Sequence, residues 1–586
     1  MKMRRIYNII CFAVLSVLTL SCSKENIIAG TDAAILSCEV ASHGVAVDAF
    51  ITGDEIHASM PLTAELDDVV VNLQLSEGAI VEPDPTLVVK LDQPVQFTVT
   101  SADGTGSRVY TLSASIDEDN VLDANVKVGN MVSLVELADA GYTVLGGLFI
   151  FDDGSGDVIT DLSPLNRVTE IKTDLELWCS GLDSLEMKSL RTVGNVDLYT
   201  NTSSSISFPS LENVAGRFRI GNDDSGVVPT ENDITERIYL PKLKRVGKSF
   251  IVFLCAALED LHTPVLESVG EDFKVQGGKF TDLSMMSKLT KVRGMVSIFG
   301  KLNTLKGFNI ETADAVELEL EEVTDLSPLS VLKKADYMKL IGNKEITSFK
   351  GLENIELNAM DIINFPSVKT TEFLPVRNGM EHIMLQQMDN MEELTGFEKV
   401  TDVETLILMS FYKIKNLDPI ANLTHVNRLQ LMVFEELEEL PEFKNLTELG
   451  GPLMVSMMRN LKSLEGLSHI KSVGSLQVDN LLTIPSLKGL EGLEKVTEAG
   501  VLIGFNNMIT DLEPLRNLKE VALKNQSDQI RIEKNAELYN FAAVQEVCLK
   551  YWMSGGGKFA KVSIAENKYN PSYQDMVDGR VCPEEN

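Results

Sequence analysis

The sequence predicts a mainly β chain: a small N-terminal β-sandwich, then a long parallel β-solenoid with short capping elements. Three observations predict it. Short runs between residues 27 and 117 alternate apolar and polar side chains and are separated by glycine turns. From about residue 145 to 535 an apolar-x-apolar triplet recurs, at most steps about every 20 to 25 residues. Hydrophobic residues make up 44% of the 586, which is ample for a core and argues against global disorder.

The extreme N-terminus reads as an address. Met1 to Arg5 is basic, and Ile9 to Leu20 is almost wholly apolar. That run is too short for a comfortable membrane span and fits a secretion signal. No later stretch is long and apolar enough to span a bilayer. Ser21-Cys22-Ser23-Lys24-Glu25 follows, and a Cys after a small residue at the end of such a run resembles a bacterial lipobox. Thr19 stands where that motif prefers Leu. The Ser-Lys-Glu after Cys22 resembles the export signal of Bacteroidota surface lipoproteins. These resemblances imply a signal peptide over 1–21, a lipidated tether over 22–26, and an outer-membrane protein facing the cell exterior. Lipid on Cys22 would be its sole membrane contact.

Residues 27–117 read as short strands, among them Ile35–Val40, Val69–Leu75 and Val95–Val99. Asp103-Gly104-Thr105-Gly106 then turns the chain into a strand over Val109–Ala114, because glycine supplies the positive φ of a tight turn. Strand density and length suggest a small antiparallel sandwich. Ser76-Glu77-Gly78-Ala79, Val99 to Gly104 and Tyr110-Thr111-Leu112 resemble the Ig-like N-terminal modules of Bacteroidota surface lipoproteins, which implies a spacer. Residues 118–144 are expected to form a linker and an N-terminal capping helix, with Met131, Leu134, Val135 and Ala138 on one face.

Over 145–535 the first members of the triplets are Leu148, Leu175, Val196, Phe218, Phe250, Phe273, Val296, Leu318, Met338, Met360, Ile383, Leu406, Leu429, Leu453, Leu476, Val501 and Ile530. Thr-Asp-Leu-x-Pro-Leu marks another point of the turn, at 160–165, 324–329 and 510–515. One turn exposes too much apolar surface to fold alone, so turns must stack with their strands parallel and in register. About seventeen turns at roughly 4.8 Å each would make a rod about 80 Å long.

The stretches Leu487 to Val496 and Val501 to Asn507 resemble leucine-rich repeats, and more closely the receptor L-domain variety, a right-handed coil of short strands. The asparagine that forms a ladder in the common horseshoe is present near Asn222, Asn343 and Asn507, and most other turns lack it. The tail, from Val562 through Tyr569-Asn570-Pro571 to Cys582, resembles the closing cap of such bacterial proteins, expected over 536–586.

Little in the sequence points to reaction chemistry. Gly555-Gly556-Gly557-Lys558 fails the phosphate-loop pattern, with Phe559 after the lysine and Trp552 six residues before it. The six histidines are far apart, and no metal site is expected. Asp152 to Asp157 lacks the spacing of a calcium loop. The seven cysteines form no C-x-x-C pair. Cys179 and Cys255 read as small core residues, whereas Cys548 and Cys582 are a candidate disulfide in an oxidising exterior. No cofactor is implied. Lys plus Arg is 52 and Asp plus Glu is 86, a formal charge of −34, so the chain repels nucleic acid at long range.

One local bias stands out. The middle residue of each strand should point outward, as polar Glu176, Asp197, Arg219, Lys274, Ser297, Lys339 and Gln430 suggest. Between 383 and 455 the outward set becomes Met384, Ile407, Met409, Met432, Phe434 and Met454. On adjacent turns these would make an apolar strip fit for a partner, unless a loop covers them or the register slips by one residue. The expectation is a non-enzymatic, surface-exposed adhesion protein that contacts a host or neighbouring protein through its solenoid. The alternative is glycan capture for nutrient uptake, which needs clustered aromatics. By sequence position Trp178, Tyr199 and Trp552 are too scattered to supply them.

Overall fold

The computed structural model describes residues 31–42, 45–60, 64–116, 120–199, 203–221, 234–253, 255–552 and 561–583. Cys22 with its leader, Asn222 and the Gly555–Lys558 loop lie outside these residues. The chain divides into two compact units, Met1–Glu118 and Asp119–Asn586.

In the first unit, Val45–Asp48, Ile35–Ser42 and Val70–Leu75 form one sheet. Phe50–Thr52, Glu55–Met60, Ser107–Ile116, Val95–Thr100 and Ile80–Glu82 form another. Pairing is antiparallel except between Glu55–Met60 and Ser107–Ile116. The expected hairpin is present, with Val95 opposite Leu112 and Thr100 opposite Ser107. Gly104 turns it at φ +72°, and Asp103 Oδ1 accepts from the Thr105 amide at 3.0 Å. Cys38, Val40, Ile56, Phe97, Val99, Tyr110 and Leu112 are buried between the strands.

The second unit is a parallel β-solenoid built on one long sheet. Its inward column runs Val126, Leu148, Leu175, Val196, Phe218, Phe250, Phe273, Val296, Val316, Met338 and Met360. It continues through Ile383, Leu406, Leu429, Leu453, Leu476, Val501 and Ile530 to Val562. This is the column expected from the triplets, except that Val316 and not Leu318 occupies it. Leu318 is also buried, two residues along the same inward face, so the spacing alone did not separate them.

The sheet starts earlier and ends later than the repeat pattern. Val121–Val128 pairs with Val144–Phe151, and Val562–Ala565 pairs with Gln529–Glu533. An edge strand covers the core from one side, so Val121–Val128 buries only Val128 and escapes an apolar pattern search. The helix Met131–Asp139 follows, started by a reciprocal Asn130–Ser133 capping box and pinned by buried Leu134.

Each turn is shaped by local chemistry. Asp161, Asp282, Asp325 and Asp511 accept from the amide two residues on at 2.9 Å, starting short 3-10 turns. Proline inside three of these turns fixes φ, and the flanking leucines Leu162, Leu165, Leu326, Leu329, Leu512 and Leu515 are buried. That is the physical content of the Thr-Asp-Leu-x-Pro-Leu signature. Inside, Phe218, Phe250 and Phe273 stack at 5.1 and 5.3 Å, one strand above the next.

A second repeated device closes the strands. Asn364, Gln387, Ser410, Val433, Met457, Asn480, Phe505, Lys534 and Glu566 all sit at positive φ, between +55° and +65°. Each follows the last outward residue of its strand. The next residue is thereby redirected into the core: Phe365, Met388, Phe411, Phe434, Met458 and Leu481 are buried there. The final three turns place Asn506, Asn535 and Asn567 at the same point. Asn506 N donates to Asn535 Oδ1 and Asn535 N to Asn567 Oδ1, each at 3.0 Å. Asn343 also holds this position, donating to Val323 O at 2.8 Å. The ladder residue is therefore Asn506, not Asn507, and most turns fill its place with an apolar side chain.

Candidate functional site

The outward face of the long sheet carries two distinct patches. Strands of parallel register stack equivalent residues in columns, so side chains scattered through the sequence become neighbours about 4.8 Å apart.

One column runs Lys339, Asp361, Met384, Ile407, Gln430 and Met454. Two residues further along, a parallel column runs Ile341, Ile363, Gln386, Met409, Met432 and Ser456. Met384, Ile407, Met409, Met432 and Met454 are half-buried and lie together, as the alternation implied. Phe434 does not belong with them. It is fully buried and stacks on Phe411 at 5.4 Å. Strict alternation would place Phe434 outward, but the left-handed backbone at Val433 (φ +60°) reverses the side. The strip is longer than expected, because Ile341 and Ile363 extend it and Met457 at the corner is 43% exposed.

Its N-terminal margin is polar. Tyr337 donates to Asp361 Oδ2 at 2.7 Å, and His382 Nε2 stands 2.8 Å from Oδ1. Burial works against the Asp361 charge, but the His382 and Tyr337 contacts outweigh it and hold the carboxyl below its usual range. Burial first, and then Asp361, push the Tyr337 phenol up.

The second patch lies on the first strands of the solenoid. Phe149 pairs with Glu176, and Phe151 with Trp178. The Phe149 and Phe151 rings stack at 5.1 Å. Trp178 and Tyr199, 21 residues apart in sequence, stack at 4.2 Å with 24° between their planes. The expected scatter of aromatics is therefore wrong for these two, because one turn of chain returns Tyr199 beside Trp178. Trp552 is elsewhere, 5.9 Å from Tyr573 in the C-terminal region. The Arg219 guanidinium covers the Tyr199 ring at 4.9 Å and donates to its hydroxyl at 2.5 Å. Asp197, fully buried, fixes this arrangement by accepting from Arg219 Nε at 3.0 Å and from Arg217 Nε at 2.8 Å. The hydrogen bond to Asp197 holds the Arg217 charge far beyond its ordinary range.

Beside Phe149 lies a depression of about 280 Å³ lined by Asn125, Lys127, Gly147, Thr173, Asp174 and Glu176. Gly147 makes the space. A Cβ there would stand 2.6 Å from Asn125 Oδ1 and 2.7 Å from Thr173 Oγ1.

The remaining candidates do not assemble a site. Cys548 is buried and Cys582 exposed, and both are free thiols, so the candidate disulfide is not formed. Helix packing directs the Cys548 side chain inward, where burial pushes the thiol up to about 12. His425 lies 3.3 Å from Glu404 and does not join His382. A groove of about 640 Å³ near Glu392, Lys413, Lys415 and Glu436 is filled with paired charges, Lys413 meeting Glu436 at 2.7 Å. Among the described residues no group of three or more His, Cys, Asp or Glu is placed to hold a metal ion. None of the described helices is long and apolar enough to cross a membrane.

No family model and no curated protein matches the chain. Among solved structures, a putative glycoside hydrolase from Bacteroides thetaiotaomicron is 27% identical over 17% of this chain, with a TM-score of 0.14. The match spans 28% of that protein, and a likeness so partial carries no argument about fold or function.

Proposed function

We propose that this chain is a non-enzymatic binding protein that meets a protein partner through the outward face of its long sheet. The observation that carries this reading is the strip of Met384, Ile407, Met409, Met432 and Met454, extended by Ile341, Ile363 and Met457. Contiguous half-exposed apolar side chains on a rigid sheet suit protein contact, and methionine adapts to varied partner shapes. The parallel stack of short strands supports a leucine-rich-repeat type of scaffold, which offers broad lateral surface. The sequence of the leader supports a lipid on Cys22, an outer-membrane anchor and a Bacteroidota-type cell exterior as the place of work. Adhesion to a host or neighbouring-cell protein is the use this combination fits.

The test is binding of the purified protein to a panel of immobilised extracellular-matrix proteins. At least one should bind, and Met409→Ser with Met432→Ser should weaken it tenfold or more, about 1.4 kcal/mol. Both side chains are partly exposed and lie outside the buried core, so the variant should still fold and unfold cooperatively. Undiminished binding by that folded variant would sink the reading. Loss of folding would show the strip to be structural.

A further inference from the structure

We propose that the outward face around Trp178 is a binding subsite for an uncharged pyranose of a glycan. It stands on the aromatic end of the solenoid and does not depend on the methionine strip.

The first argument is the rings. Phe149 and Phe151 lie on one strand, Trp178 ends the next, and Tyr199 directly follows the third, all on one side of the sheet. Trp178 is 43% exposed, although a ring of its size gains by burial. An aromatic face is electron-rich, so it attracts the weakly positive C–H groups that line one face of a pyranose.

The second argument is that the platform is held before any ligand arrives. Trp178 rests on Tyr199, Tyr199 lies under Arg219, and Arg219 is tied to buried Asp197. Such a chain fixes the ring, so little freedom is lost on binding. A merely adventitious surface tryptophan needs no such support.

The third argument is the polar depression next to the rings. Asn125 and Thr173 are exposed, and with Asp174, Glu176 and Lys127 they offer donors and acceptors in close array. Its volume of about 280 Å³ lies near the lower end of small-molecule sites and suits a single sugar ring. A ligand that spans both features needs an apolar face and a hydroxyl-rich edge, as a pyranose has. An apolar peptide side chain would leave the depression's polar groups desolvated and unpaired.

The fourth argument is charge. Arg217 and Arg219 are engaged by Asp197, and Lys172 pairs with Asp123 at 3.1 Å. Lys127 stands over the Phe149 ring at 5.9 Å, and among the described residues around the rings no cluster of unpaired cations stands ready to select sulfate, phosphate or uronate. The formal charge of −34 over the whole chain also disfavours polyanions.

The experiment is native affinity electrophoresis of the full chain in gels containing soluble polysaccharides. A neutral set (β-glucan, xylan, galactomannan, α-mannan) and a charged set (alginate, heparin) are compared. At least one neutral polysaccharide should retard the protein. Trp178→Ala should weaken that retardation tenfold or more, and Asn125→Ala should weaken it severalfold. Both side chains are exposed, so both variants should melt as the parent does. Met409→Ser with Met432→Ser should migrate like the parent, which separates this subsite from the protein-binding strip. No retardation by any neutral polysaccharide overturns the proposal. Retardation by the charged set alone, or retardation unchanged in Trp178→Ala, does so as well.

Discussion

Asn535 shows how much a single side chain carries in a stacked fold. Its Oδ1 accepts the Asn506 amide, while its Nδ2 reaches Ile503 O at 3.1 Å and Asn567 Oδ1 at 2.9 Å, all in the buried interior. Replacing it by alanine strands these groups away from water. Asn535→Ala should therefore destabilise the protein by about 2–4 kcal/mol, read as a lower denaturation midpoint. Phe434 teaches the converse lesson. It occupies the same point of an earlier turn, and stacking on Phe411 replaces hydrogen bonding. One structural position thus accepts either chemistry. Asparagine therefore marks only part of this column of corner residues.

Among the elements, the short 3-10 turns were the most readable. Asp325 begins one of them by accepting from Ser327 N at 2.9 Å and Ser327 Oγ at 2.6 Å. Those bonds, the Ser327 hydroxyl first, hold its carboxyl below the ordinary range. Asp325→Ala should cost about 1 kcal/mol at neutral pH, the net worth of a typical hydrogen bond. Because the folded value is depressed, the stabilisation is full above the unfolded carboxyl's value, about 3.9. It fades as the pH falls through the lower folded value. Melting curves of parent and variant should converge there, and a gap that persists at low pH would deny the carboxylate's role. The left-handed corners were not readable. Val433 and Phe505 adopt positive φ although L residues rarely do, so no local preference announces them. The stacked turns on either side impose the conformation. This is why alternation succeeded as far as Met432 and failed one corner later.

Across the solenoid, each turn contacts its sequence neighbours and little else, so stability is a sum of local terms. Strands in the middle, such as Asp402–Phe411 and His425–Phe434, are covered on both sides, while among the described residues Val121–Val128 and Val562–Ala565 each pair on one side only. Amide exchange followed by mass spectrometry should be slowest in the middle strands and quicken toward both edges. Uniform protection from edge to edge would mean all-or-none unfolding and contradict that picture. The sequence alone determined the solenoid, most of its strand column, its proline-marked turns and the methionine bias, because apolar periodicity and turn chemistry are local and repeat with every winding. Only the tertiary structure decided which side chains share the outward face. It brought Trp178 onto Tyr199 and removed Phe434 from the strip. Both outcomes depend on register between turns and on backbone imposed at the corners, and neither is encoded in the residues concerned.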